Sequence, residues 1–125
     1  MKTLNDIRAT HQLSDPKTVT TKQVLNFSKD PETAIVIPVG ESLQVHFSKT
    51  NPGRLYFEYA GALRSLTVVN AHKYITGIAK PPSVATLQKW EWDSGICKTP
   101  TGRKTEPDGY GDDGSPSWML VMGVI

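Results

Sequence analysis

Residues 33–66 read TAIVIPVGESLQVHFSKTNPGRLYFEYAGALRSL, and this stretch decides the fold. Leu43-Gln44-Val45-His46-Phe47 alternates apolar and polar with period two, so Leu43, Val45 and Phe47 share one face while His46 points outward. Leu55-Tyr56-Phe57-Glu58-Tyr59 alternates in the same way, with Leu55, Phe57 and Tyr59 in register. Ala34 to Val39 is short and β-branched, and Leu63 to Leu66 extends a last strand. Gly40-Glu41, Asn51-Pro52-Gly53 and Ala60-Gly61 supply the turns. Sequential strands joined by short turns predict an antiparallel sheet whose apolar face must be covered.

The cover is expected from later in the chain. Val68, Ala71 or His72, Ile75 and Ile78 recur at helical spacing over residues 67–79, with Gly77 near the end. Pro81-Pro82 forbids helix, and Ser83 is a suitable N-cap for a second helix over 84–91. Ile96–Thr99 and Arg103–Glu106 flank Pro100-Thr101-Gly102 as a hairpin. A Gly/Asp/Pro loop follows, then the apolar run Trp118 to Ile125, which should be docked in the core or in an interface. The class predicted is a single α+β domain over residues 1–125. An antiparallel sheet (33–66) is packed by two helices, and residues 1–15 are compatible with a flexible arm.

Bulk properties narrow the function classes. With 125 residues the chain can bury roughly two thirds of its unfolded surface, so no disulfide or metal staple is needed. The lone Cys97 fits a reducing compartment. No leader-like apolar run and no stretch of about 20 apolar residues is present, so no membrane association and a cytoplasmic location are expected. Net charge is only +2, but it is partitioned. Residues 72–104 hold Lys73, Lys80, Lys89, Lys98, Arg103 and Lys104 against Glu91 and Asp93. Residues 105–125 hold Glu106, Asp108, Asp112 and Asp113 and no basic residue. A concentrated basic excess suits a phosphate-facing surface.

Helix, turn, helix and basic hairpin together suggest a helix-turn-helix with a wing. Ser83 to Trp90, SVATLQKW, resembles the recognition helices of many small DNA-binding proteins. On that reading Ser83, Thr86 and Gln88 reach base edges and Lys89 a phosphate. Lys98, Arg103 and Lys104 cluster near the hairpin tip, with Arg103 the best single phosphate contact. The double proline lengthens the turn, and Glu91 and Asp93 would repel a backbone they faced.

Other chemistry is thin. Asp108, Asp112 and Asp113 do not match an EF-hand spacing and read as a turn-forming loop. His11, His46 and His72 form no ligand pair, so no metal is expected. No nucleophile-and-base arrangement or cofactor fingerprint occurs, and neither an enzyme nor a cofactor is expected. The aromatics Phe47, Tyr56, Phe57 and Tyr59 could stack bases, but apolar neighbours favour core packing.

The segments KPPSVATLQKW, EPDGYGDDGSPSW and the abrupt apolar end resemble small proteins of uncharacterised activity encoded by phages, prophages and plasmids. The resemblance implies a mobile element in a bacterial host, where such proteins often act as regulators or as inhibitors of host defence. The expected function is a DNA-binding protein acting on duplex DNA, with a homodimer formed through the apolar C-terminus. The alternative is a non-enzymatic inhibitor that binds a host defence complex, like an anti-CRISPR protein.

Overall fold

The computed structural model describes residues 3–27, 34–93 and 96–123, without the side chains of 91–93. In chain order the elements are α1 (Leu4–Ile7), β1 (Lys17–Thr20), β2 (Leu25–Phe27), β3 (Ile35–Ile37), β4 (Ser42–Phe47), β5 (Arg54–Tyr59) and β6 (Ala62–Thr67). There follow α2 (Val68–Ala71), α3 (Val84–Asp93), β7 (Cys97–Lys98), β8 (Lys104–Thr105) and α4 (Trp118–Val121). The architecture is α+β, built on an antiparallel four-stranded sheet of order β1-β4-β5-β6.

Two details depart from the sequence expectation. The strand near Ile35 is not part of the main sheet; it pairs with β2 as a separate hairpin. Its place beside β4 is taken by β1, with Val19 opposite Leu43. The alternation itself holds: Leu43, Val45, Phe47, Leu55 and Phe57 are all buried. Each such large side chain contributes about 1.5–3 kcal/mol on burial. Leu25 and Ile37 of the second hairpin, Ile75, Ile78, Leu87, Cys97, Trp118 and Met119 join them in one continuous core. The apolar C-terminal run is thus docked through Trp118 and Met119; Val124 and Ile125 lie outside the described residues.

The opposite face of the sheet is covered as well. His46 and Tyr56 are paired across β4 and β5 on that face. Both are buried, so His46 is not the outward-facing solvent residue that alternation implied. The cover is the polar N-terminal segment expected as an arm. Ile7 is buried, the Leu4 N–H donates to Glu58 Oε1 at 2.5 Å, and the His11 ring meets Tyr56 edge-on. The Ser14 carbonyl lies 2.8 Å from His46 Nδ1.

The helix expected over 67–79 is a single turn. After Ala71 the helix gives way to turns over His72–Tyr74, and Ile75 makes an isolated bridge to Thr21. The Thr76 N–H donates to the Thr20 carbonyl at 2.9 Å, while the Thr20 N–H donates to Thr76 Oγ1 at 3.0 Å. Pairing with the end of β1 therefore wins over helical periodicity. Gly77 is left-handed (φ 81°), but it turns the chain beyond this pairing and does not cap a helix. Among the described residues α2 and α3 are separated by residues 72–83 and form no helix-turn-helix. The second helix does form as expected: Ser83 Oγ accepts from the Thr86 N–H at 3.2 Å and caps α3.

Candidate functional site

α3 is held by one face. Leu87 is buried in the core, and Trp90, one turn on, packs against the same cluster while half-buried. Lys89, next to Trp90, is exposed. The β7–β8 hairpin lies alongside, with Cys97 opposite Thr105 and Lys98 opposite Lys104. α4 packs against β7 from another side. Between α3 and the hairpin lies an open cleft of about 380 Å³ lined by Lys89, Trp90, Ile96, Cys97, Lys98 and Lys104.

This cleft brings three of the sequence-predicted cations into one lining with Trp90. Lysine stems line apolar surface while their ammonium groups stay in water, so such a site has apolar walls and a cationic rim. Among the described residues no ion pair neutralises Lys89, Lys98 or Lys104. Two like charges directly opposite on paired strands are unfavourable. The Lys98–Lys104 pair therefore sits where an anion would relieve repulsion. Ile96 is half exposed, at 52%. Burial pushes the Cys97 thiol up from its ordinary value, only partly offset by Ser117, so it lines the floor as a neutral group.

The remaining sequence candidates lie elsewhere. Ser83 and Thr86 bond to each other (Oγ to Oγ1, 3.1 Å) at the start of α3, and Gln88 is exposed on α3 outside the cleft lining. Arg103, expected to contact phosphate, turns instead to the acidic loop. Its Nε is 3.3 Å from Asp112 Oδ1 and 3.7 Å from Asp113 Oδ2. The hairpin tip is no projecting wing either: Thr99 and Pro100 are fully buried, and the Pro100 carbonyl accepts from Ala79 N–H at 2.8 Å.

A hydroxyl network fixes this tip to the loop. Thr101 Oγ1 donates to Asp113 Oδ2 at 2.6 Å, and Ser115 Oγ lies 2.8 Å from Thr99 Oγ1. Burial raises the Asp113 carboxyl, but hydrogen bonds from Ser115 and Thr101, with the Arg103 charge, outweigh it and hold the group below its ordinary value. The loop is closely packed. Gly114 is left-handed (φ 82°), and a Cβ there would come within 2.6 Å of Ser14 Cβ. Among the described residues no three His, Cys, Asp or Glu side chains are gathered to hold a metal ion. No described helix is long and apolar enough to cross a membrane.

Trp90, Ile96 and Cys97 were not among the site residues expected from sequence. Trp90 carried a signal: an aromatic directly after Lys89 and one turn after the inward Leu87. Ile96 and Cys97 carried none, because their place depends on the hairpin returning to α3. No protein-family model matches the chain, and no curated protein or solved structure is significantly similar to it.

Proposed function

We propose that this chain binds nucleic acid through the cleft between α3 and the β7–β8 hairpin. The observation that carries the proposal is that Lys89, Lys98 and Lys104, from two separate elements, line one cleft with Trp90. Phosphates engage the three ammonium groups and release counterions, and the indole offers a stacking surface. The sequence resemblance to phage, prophage and plasmid proteins supports a mobile-element setting in the cytoplasm of a bacterial host. A homodimer carrying two clefts belongs to the same proposal. The mode differs from a recognition helix, since Ser83 and Thr86 serve the start of α3.

The test is fluorescence anisotropy with labelled DNA across a salt series. Wild type should show affinity falling linearly on log–log axes. Substituting all three lysines by Ala should reduce the slope by about 2–3, close to one unit per lost phosphate contact. Arg103→Ala should leave the slope unchanged. Lys98→Glu should raise thermal stability by about 0.2–1 kcal/mol through pairing with Lys104 while abolishing binding. Absent or salt-independent binding sinks the proposal.

A second reading is a non-enzymatic inhibitor docking on a host defence complex. It is favoured by the exposed apolar side chains Val84 (70%) and Ile96 (52%) at α3 and the cleft. It requires co-purification with a host protein and no shift of nucleic acid.

A further inference from the structure

We infer that the cleft selects single-stranded over duplex nucleic acid, taking an unpaired base onto Trp90 and its flanking phosphates onto Lys89, Lys98 and Lys104. This inference rests on the nucleic-acid reading of the cleft. In a duplex each base face is covered by its neighbours, so an indole recessed between a helix and a hairpin has no ring to meet. An unpaired base offers that face regardless of its identity. The open cleft of about 380 Å³ has room for a small planar group but not for a duplex, which could touch only its rim.

The parts a duplex reader uses are missing or engaged. The chain before α3 has no regular secondary structure over residues 78–83, where a first helix would cross the DNA backbone. The hairpin tip that would track a groove is anchored by buried Thr99 and Pro100, leaving only Gly102 of the turn exposed. Arg103 is occupied by Asp112 and Asp113. What remains is a cleft that shares Trp90 with lysines on both walls: Lys89 on α3, and Lys98 and Lys104 on the hairpin. Charge complementarity at that position fits a polyanion whose bases are free to turn inward.

The test uses the full chain with fluorescein-labelled thymidine oligomers, the matching uridine oligomers, and a blunt duplex of equal length at one salt concentration. Either single strand should bind at least tenfold tighter than the duplex and quench tryptophan fluorescence; the DNA and RNA arms identify which strand is preferred. Trp90→Leu, which keeps apolar bulk against the core but removes the stacking ring, should weaken single-strand binding about tenfold or more. Trp90→Phe should restore most of it. Circular dichroism checks that both variants fold, and Lys89→Ala, at an exposed position, gives a further loss of affinity that does not depend on replacing Trp90. Equal affinity for duplex and single strand, or wild-type binding by Trp90→Leu, overturns single-strand selection and leaves the nucleic-acid reading standing. Binding to none of the three, with or without capture of a host protein, overturns both.

Discussion

Arg103 shows how a single residue changes meaning once its surroundings are known. It is the strongest cation of the hairpin by chemistry, yet its guanidinium lies against Asp112 and Asp113. With Arg103 54% and Asp112 80% exposed, that pair contributes at most about 1 kcal/mol. Asp113 matters more, because its oxygens accept from Thr101 and Ser115 hydroxyls and from the Ser115 N–H. Its folded carboxyl is held below the ordinary value of 3.8. A depressed folded value stabilises the fold above the unfolded pKa, and the contribution disappears as pH falls through the folded one. Urea titrations across the acid limb should therefore show stability dropping below about pH 4. Asp113→Asn should cost about 1–3 kcal/mol at neutral pH and make that limb shallower. An unchanged limb would refute this role.

Turns and strand faces belong to the scale of elements. Ala60 and Gly61 join β5 to β6 as a two-residue turn with φ of 52° and 75°. Positive φ at both central positions matches the right-handed twist of a hairpin, but alanine is a poor occupant. Ala60→Asn should raise stability by about 0.5–1 kcal/mol, read as a higher thermal midpoint; a lower midpoint would argue against strain at this turn. The β4 and β5 alternation was legible in the sequence because one face must exclude water, which forces period two at Leu43, Val45, Phe47, Leu55 and Phe57. The cover over His46 and Tyr56 was not, because residues 3–14 are polar and dock mainly by hydrogen bonds and Ile7. The helix over 67–79 misled for a related reason. Ile75 and Ile78 are buried from a bridge and an irregular segment, and burial alone does not distinguish those from a helix. In the cleft, Lys89, Lys98 and Lys104 were legible as cations. The loss of Arg103 was not, since it depends on a loop folding back from Asp112 and Asp113.

Over the whole molecule, the sheet is a middle layer. Its inner face is closed by the β2–β3 hairpin, Ile75, Ile78, Leu87 and α4, and its outer face by residues 3–14. Removing residues 1–14 should uncover His46 and Tyr56 and forfeit the burial of Ile7. The truncated chain should lose about 2 kcal/mol or more and bind a hydrophobic dye that the full chain excludes. Unchanged unfolding would show the outer layer to be dispensable. The acidic loop also reaches the C-terminal end of β4, where Ser14 and Lys49 lie close together. Gly114 abuts Ser14, and the Tyr110 hydroxyl donates to the Lys49 carbonyl at 3.1 Å.

Docking of α4 sets an order on biosynthesis. Trp118 and Met119 complete a core whose other members begin at Val19. At roughly 5–20 residues per second, a ribosome delivers the four sheet strands seconds before it delivers α4. In that interval Cys97 and its apolar neighbours lack their last cover. A nascent chain stalled before Ser117 would present this unfinished surface to chaperones and proteases. Completion of this core thus waits on α4, far along the chain from the strands that define its architecture.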